Sequence, residues 1–123
     1  MISPGDFLSV AKELYSPDND DEGKFRTSIS RAYYSSFHIV KLTVVNTTVF
    51  ERGDSIFENH QQFIIKLQRD PDLSNFKDVG KNLHKLKKLR FKADYDIHLD
   101  TTRTDVVSSL KIAERIFSIC DGM

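Results

Sequence analysis

Six of the twelve residues from 81 to 92, KNLHKLKKLRFK, are lysine or arginine, and one of them stands where an apolar residue belongs. Val79, Leu83, Leu86, Arg90 and Ala93 are spaced four, three, four and three apart, which puts them on one helix face. Arg90 thus brings a permanent charge onto an apolar stripe. A charge taken out of water needs a partner, and Asp94, one helical turn on, shares its face, with Tyr95 next in sequence. Such a group has two uses. It locks one helix to its neighbours as an ion pair, or it binds phosphate, whose oxygens suit the planar guanidinium fork.

Lys81, Lys85, Lys88 and Lys92 recur at four, three and four, a second stripe nearly opposite Leu86. Solvated helix faces commonly carry lysines, but usually with glutamates spaced to pair with them, and none intervene here. The stripe is therefore a candidate surface for tracking the phosphates of a nucleic acid. Phe91 projects beside it, near His84 and Lys87, where an exposed aromatic can stack a base or seal a dimer.

Four histidines complete the inventory. His60 falls on the apolar stripe of a third helix, where a histidine satisfied within the core is the plainer expectation. His38 shares a second face of another helix with Arg31 and Tyr34, a polar cluster of its own. His98 follows the basic helix. No H-x-x-x-H or C-x-x-C spacing points to a metal. Without a glycine-rich phosphate loop or a G-x-S-x-G turn, nucleotide cradling and serine hydrolase chemistry are also unsupported. No metal or cofactor is expected.

The elements that must position these residues are helices. Glycines number five and prolines three, and they fall between periodic segments. Ser3 and Pro4 open a short helix that ends near Tyr15. The acidic run DNDDE, residues 18 to 22, suits the positive end of a long helix over about 21–46. That helix is apolar on several sides, so it should be central or at a subunit interface. A third helix is expected from about Ser55 to Arg69, and a fourth over about 73–95. Thr102 with Asp105 forms a capping box for a fifth, about 103–120. The expected class is all-α: an up-and-down bundle of four main helices plus a short N-terminal one, in a single domain spanning 1–123.

Composition narrows the function. With 39% hydrophobic and 29% charged residues the chain reads as a soluble globular protein, and no apolar run suits a membrane span. Cys120 is the only cysteine, which excludes an intrachain disulfide and makes the cytoplasm the default compartment. Net charge is zero, so any affinity for nucleic acid must be local.

Two segments together carry a resemblance. Residues 31 to 38, RAYYSSFH, resemble the R-A-Y-Y-x-x-F-H signature of small prokaryotic HEPN-domain proteins, and residues 89 to 96, LRFKADYD, resemble their L-R-x-x-A-D-Y-D signature. Glu58-Asn59-His60 falls where such proteins often carry a histidine at the start of the intervening helix. The resemblance covers nearly the whole chain. It implies a helical bundle, commonly a homodimer with a composite cleft. It also implies metal-independent ribonuclease activity in toxin–antitoxin or phage-defence systems, with a minimal nucleotidyltransferase antitoxin or a larger defence complex as partner. The nuclease signature is an arginine followed after four to six residues by a histidine. Arg90 matches the arginine, but Tyr95 stands at the four-residue spacing and His98 only after seven.

That departure bears on mechanism. Metal-free RNA cleavage needs a base for the 2′-hydroxyl, an acid for the leaving oxygen and a cation for the phosphorane charge. On the resemblance, Arg90 is the cation and His98 the candidate acid or base, with Asp94 orienting it and Tyr95 at the site. Two functions follow: a protein that binds or cleaves RNA, or a non-catalytic module that dimerises and binds a partner protein. In the second, Arg90, Asp94 and Arg31 form a buried polar network.

Overall fold

In a computed structural model that describes residues 2–18 and 20–123, five α-helices follow one another, and no strand occurs among the described residues. They are α1 (Pro4–Leu14), α2 (Glu22–Thr47), α3 (His60–Arg69), α4 (Lys77–Tyr95) and α5 (Arg103–Asp121). The all-α bundle expected from periodicity is the fold. Two of its five helices are short, however, because α3 has 10 residues and α1 has 11. No helix is long and apolar enough to cross a membrane.

The helix starts follow from local chemistry. Ser3 caps α1 in a reciprocal box with Asp6, and Thr102 does the same for α5 with Asp105. The Asp21 side chain accepts from the Lys24 N–H at the head of α2.

Two starts differ from the sequence expectation. The third helix does not begin at Ser55: a 3-10 turn covers Ser55–Phe57, and α3 starts at His60. The reason is Asn59, extended at φ −115° and ψ 108°, whose side chain caps the Gln62 N–H and starts the helix afresh. The fourth helix begins at Lys77 rather than near 73. Pro71–Phe76 form a 3-10 segment, and Leu73, at φ −117° and ψ 25°, departs from helical geometry.

α2 lies against α1, α4 and α5, so it is the central helix. Its stripe Ile29, Tyr33, Phe37, Val40 and Val44 is buried. Serines on its other faces are buried too. Ser28 Oγ donates to the Ala11 carbonyl at 2.7 Å, which ties α1 to α2 and satisfies a hydroxyl that burial would otherwise penalise. α3 packs on α4 at Gly80, where a Cβ would come within 2.9 Å of both Leu67 Cβ and Gln68 Cγ. Only glycine lets the two helices meet there. On α4, Val79, Leu83, Leu86 and Ala93 are buried as their spacing requires, and truncating Leu83 or Leu86 to alanine should cost about 2–5 kcal/mol.

The C-terminal end of α4 is held by a residue from α2. Arg26 donates to the carbonyls of Ala93 at 2.9 Å, Lys92 at 3.3 Å, Asp96 at 3.5 Å and Leu99 at 2.5 Å. Glu22 accepts from Arg26 at 3.0 Å and from the Thr101 N–H at 2.8 Å. One guanidinium thereby satisfies carbonyls that the helix end leaves open, and it stitches the segment after Tyr95 to the start of α2.

Candidate functional site

Arg90 projects from the buried face of α4 towards α2, and its side chain is 15% exposed. Its Nε donates to Asp94 Oδ2 at 2.9 Å, and its Nη2 donates to the Tyr34 hydroxyl at 3.0 Å and, at 3.5 Å, to that of Tyr95. The guanidinium carbon lies 5.3 to 5.6 Å from the ring centres of Tyr33, Tyr34 and Tyr95, within range of cation–π attraction. Asp94 also accepts from Ser30 Oγ at 3.4 Å. Burial works against the charged arginine, but the oxygens of Tyr34, Asp94 and Tyr95 outweigh it and hold the group firmly protonated. Nη1 has no acceptor among the described residues and is not sealed from solvent.

A histidine does stand beside this cluster, but it comes from α3. Tyr33, fully buried, places its hydroxyl 2.8 Å from His60 Nδ1. The His60 ring stacks on Phe37 with centroids 3.8 Å apart and planes at 14°. Burial depresses the histidine's pKa below its usual 6.5, and the charges of Arg90, Lys87 and His38 depress it further. Burial likewise pushes the Tyr33 phenol well above its usual range, against the pull of Arg90, so the hydroxyl keeps its proton.

Two tautomers satisfy the pair. Either Tyr33 donates to Nδ1 and Nε2 carries the proton, or Nδ1–H donates to the Tyr33 oxygen and Nε2 is a lone pair. In both, Nε2 is the atom left for chemistry. Lys87 completes the group, donating to Gln61 Oε1 at 2.7 Å. Burial, and then Arg90, lower its pKa.

The other sequence candidates disperse. His98 is exposed in the turn after α4 and makes no hydrogen bond, ion pair or ring contact among the described residues. The cause is the Arg26 clamp. It draws residues 96 to 99 towards the head of α2, whereas Arg90 meets α2 at Tyr34, eight residues and about 12 Å further along the helix axis. Arg31 is exposed and takes no part in the Arg90–Asp94 network. His38 turns to α1, stacking on Phe7 at 5.6 Å and 19°, so Arg31, Tyr34 and His38 do not act as one cluster.

On the lysine stripe, Lys81, Lys85 and Lys88 are exposed, but Lys92 is paired with Asp105 at 3.2 Å and serves the α4–α5 junction. Phe91 and Tyr95, 52% and 58% exposed, pack on each other at 5.0 Å at the rim of the site.

Sequence spacing singled out Arg90 and Asp94 through a charge in an apolar stripe. It gave no comparable signal for the approach of Tyr33, His60 and Lys87, since that depends on how α3 crosses α2 and α4. The hint came from the family resemblance, which marked His60 within Glu58-Asn59-His60 and Tyr33 within RAYYSSFH.

The family model described as the HEPN domain matches residues 5–123. No curated protein and no solved structure matches the chain. With an all-helical fold and a match that runs nearly end to end, the chain belongs to the HEPN-domain family.

Proposed function

We propose that the Arg90 cluster binds the phosphate of an RNA strand and that His60 carries the proton transfer of metal-independent cleavage. The observation that supports this best is the convergence of Arg90, Lys87 and His60, three nitrogen groups close enough to perturb one another, with Asp94 paired to Arg90. That arrangement favours an anion. The free Nη1 of Arg90 takes a phosphate oxygen while Nε and Nη2 stay held by Asp94 and Tyr34, so the fork is oriented before the ligand arrives.

His60, neutral near pH 7, takes the 2′-hydroxyl proton at Nε2. The O2′–P bond forms as the P–O5′ bond breaks, and a proton goes to the departing O5′. Lys87, an ammonium weakened by burial and by Arg90, supplies the proton for that step. The products are a 2′,3′-cyclic phosphate and a 5′-hydroxyl end. Lys81, Lys85 and Lys88 guide the flanking backbone. A homodimer would set two such sites side by side, and a toxin or phage-defence role would follow from unrestrained cleavage.

The test is incubation of the purified protein with total RNA in EDTA, beside His60→Ala and Arg90→Ala variants checked for folding. Cyclic-phosphate ends that appear with the wild type and vanish with His60→Ala support the reading. Equal cleavage by all three proteins, or by none, removes it. If His98→Ala abolishes cleavage instead, the proton-transfer role returns to the turn.

A second reading has its own observation. Phe91, Tyr95, Ile97 and Leu99 are all more than half exposed around the end of α4, an apolar surface that suits burial against a protein. On this reading the protein is a non-catalytic module, and its partner is a nucleotidyltransferase-type antitoxin or a larger defence complex. A stoichiometric co-purifying protein lost with Ile97→Asp, together with intact RNA after expression, would decide for it.

A further inference from the structure

A groove of about 510 Å³ lies away from the Arg90 cluster, between the start of α1 and the outer face of α2. Its size falls within the range of small-molecule sites. The walls are mainly apolar: Phe7 from α1, and Leu42 and Val45 one turn apart on α2. Three basic side chains, His38, Lys41 and Arg52, line it as well, and no acidic residue does. Asp6, the carboxylate closest in sequence on α1, does not line it and accepts from the Ser3 N–H at 2.7 Å.

Neither Lys41 nor Arg52 makes an ion pair among the described residues. The Lys41 ammonium instead lies over the Phe57 ring at 5.1 Å, a cation–π contact that leaves it without a carboxylate. One face of Phe7 is already covered by His38, so the remaining apolar surface is largely aliphatic. That surface suits an alkyl chain better than a planar base.

We propose that this groove binds an amphipathic carboxylate, its alkyl chain lying along Phe7, Leu42 and Val45 and its head held by Lys41 and Arg52. The proposal is independent of the RNA reading, since no residue is shared between the two sites. Two cations without carboxylate partners, lining an otherwise apolar trough, give charge complementarity for an anionic head. The desolvation that usually weakens such a contact is small here, because the head stays at the rim near exposed Arg52. His38, stacked on Phe7 inside the groove, is the built-in reporter.

The experiment is an NMR titration of the four histidine ring signals of the full chain with octanoate, which supplies both tail and charge. A saturable shift at His38 with His84 and His98 unmoved is expected. 1-Octanol and acetate, each supplying one half of the ligand, should bind at least tenfold more weakly. Lys41→Gln should weaken octanoate about tenfold, as loss of a charge-assisted contact does, and Arg52→Gln about threefold, since that residue is exposed. Leu42→Trp, which fills the trough and keeps both cations, should abolish the shift.

No saturable shift at His38, or equal binding of 1-octanol, overturns the proposal. So would sedimentation with phosphatidylglycerol vesicles in the absence of an octanoate shift, which would assign the cations to a membrane headgroup. A His38 shift that follows protein concentration rather than octanoate would assign the trough to a second copy, again overturning it.

Discussion

Replacing Arg90 with alanine tests whether the guanidinium is a structural strut as well as a ligand group. The side chains of Arg90 and Asp94 are 15% and 25% exposed, so the pair lies between the two regimes for which ion pairs are understood. Breaking a fully buried pair on one side costs about 3–5 kcal/mol, whereas exposed pairs contribute about 0.2–1 kcal/mol. The Nε–Oδ2 contact at 2.9 Å is charge-assisted, about 1.5–3 kcal/mol, and removal strands Asp94 with only Ser30 at 3.4 Å. Part of that loss is returned because the desolvated guanidinium is gone. A net cost of about 2–3 kcal/mol follows, or about 8–12 °C in melting temperature at roughly 4 °C per kcal/mol for a chain of this size. Urea and thermal melts of Arg90→Ala, Asp94→Ala and the double variant form a cycle, and the double variant should lose clearly less than the sum. A loss below about 1 kcal/mol for Arg90→Ala, with additive singles, would show a guanidinium held no better than a surface one. It would refute the reasoning that orients Nη1 for phosphate.

Three further perturbations probe the neighbourhood. The histidine–tyrosine pair predicts a pH dependence: His60 is depressed below 6.5, so below that pH the unfolded chain binds more protons than the folded one, and stability falls with acidification until the folded group titrates too. His60→Gln should flatten that slope in melts between about pH 6.5 and 5. His38→Gln should flatten it as well, its pKa being lowered by burial and Lys41. Arg26→Met should cost about 2 kcal/mol and speed amide exchange selectively at residues 96 to 99, which a uniform loss of stability would not do. Neutralising Lys81, Lys85 and Lys88 to Gln should lower the slope of log affinity for single-stranded RNA against log salt by about 2. No change in slope would remove the lysine stripe from the interface.

The fold could be read largely from local chemistry. Ser3 and Thr102 announce helix starts with their acidic partners three residues on, and the stripe from Val79 to Ala93 names its buried face because helical period and burial coincide there. The third helix was harder to place. Ile56 and Phe57 continue its apolar pattern, and periodicity alone cannot see that Asn59 interrupts the backbone with a cap. The lysine stripe shows a further limit, since Lys92 obeys the spacing of its neighbours yet is claimed by Asp105 from a helix whose approach no spacing on α4 encodes.

The same distinction explains why the sequence suggested the wrong neighbour for Arg90. Along the chain, His98 is the nearest downstream histidine. A helix end, however, is steered by whatever satisfies its open carbonyls, and here Arg26 does so from the head of α2. His60, thirty residues upstream of Arg90, reaches the cluster because Tyr33 links the two, its ring under the Arg90 guanidinium and its hydroxyl on His60 Nδ1. Tyr33→Phe separates these roles, keeping the ring and removing the hydroxyl. If the hydroxyl orients His60, this variant should melt within about 1–2 kcal/mol of the wild type while any cleavage falls steeply and its pH profile moves. Unchanged cleavage in a folded Tyr33→Phe protein would mean that Phe37 stacking alone sets the ring, and that the tyrosine serves only the core.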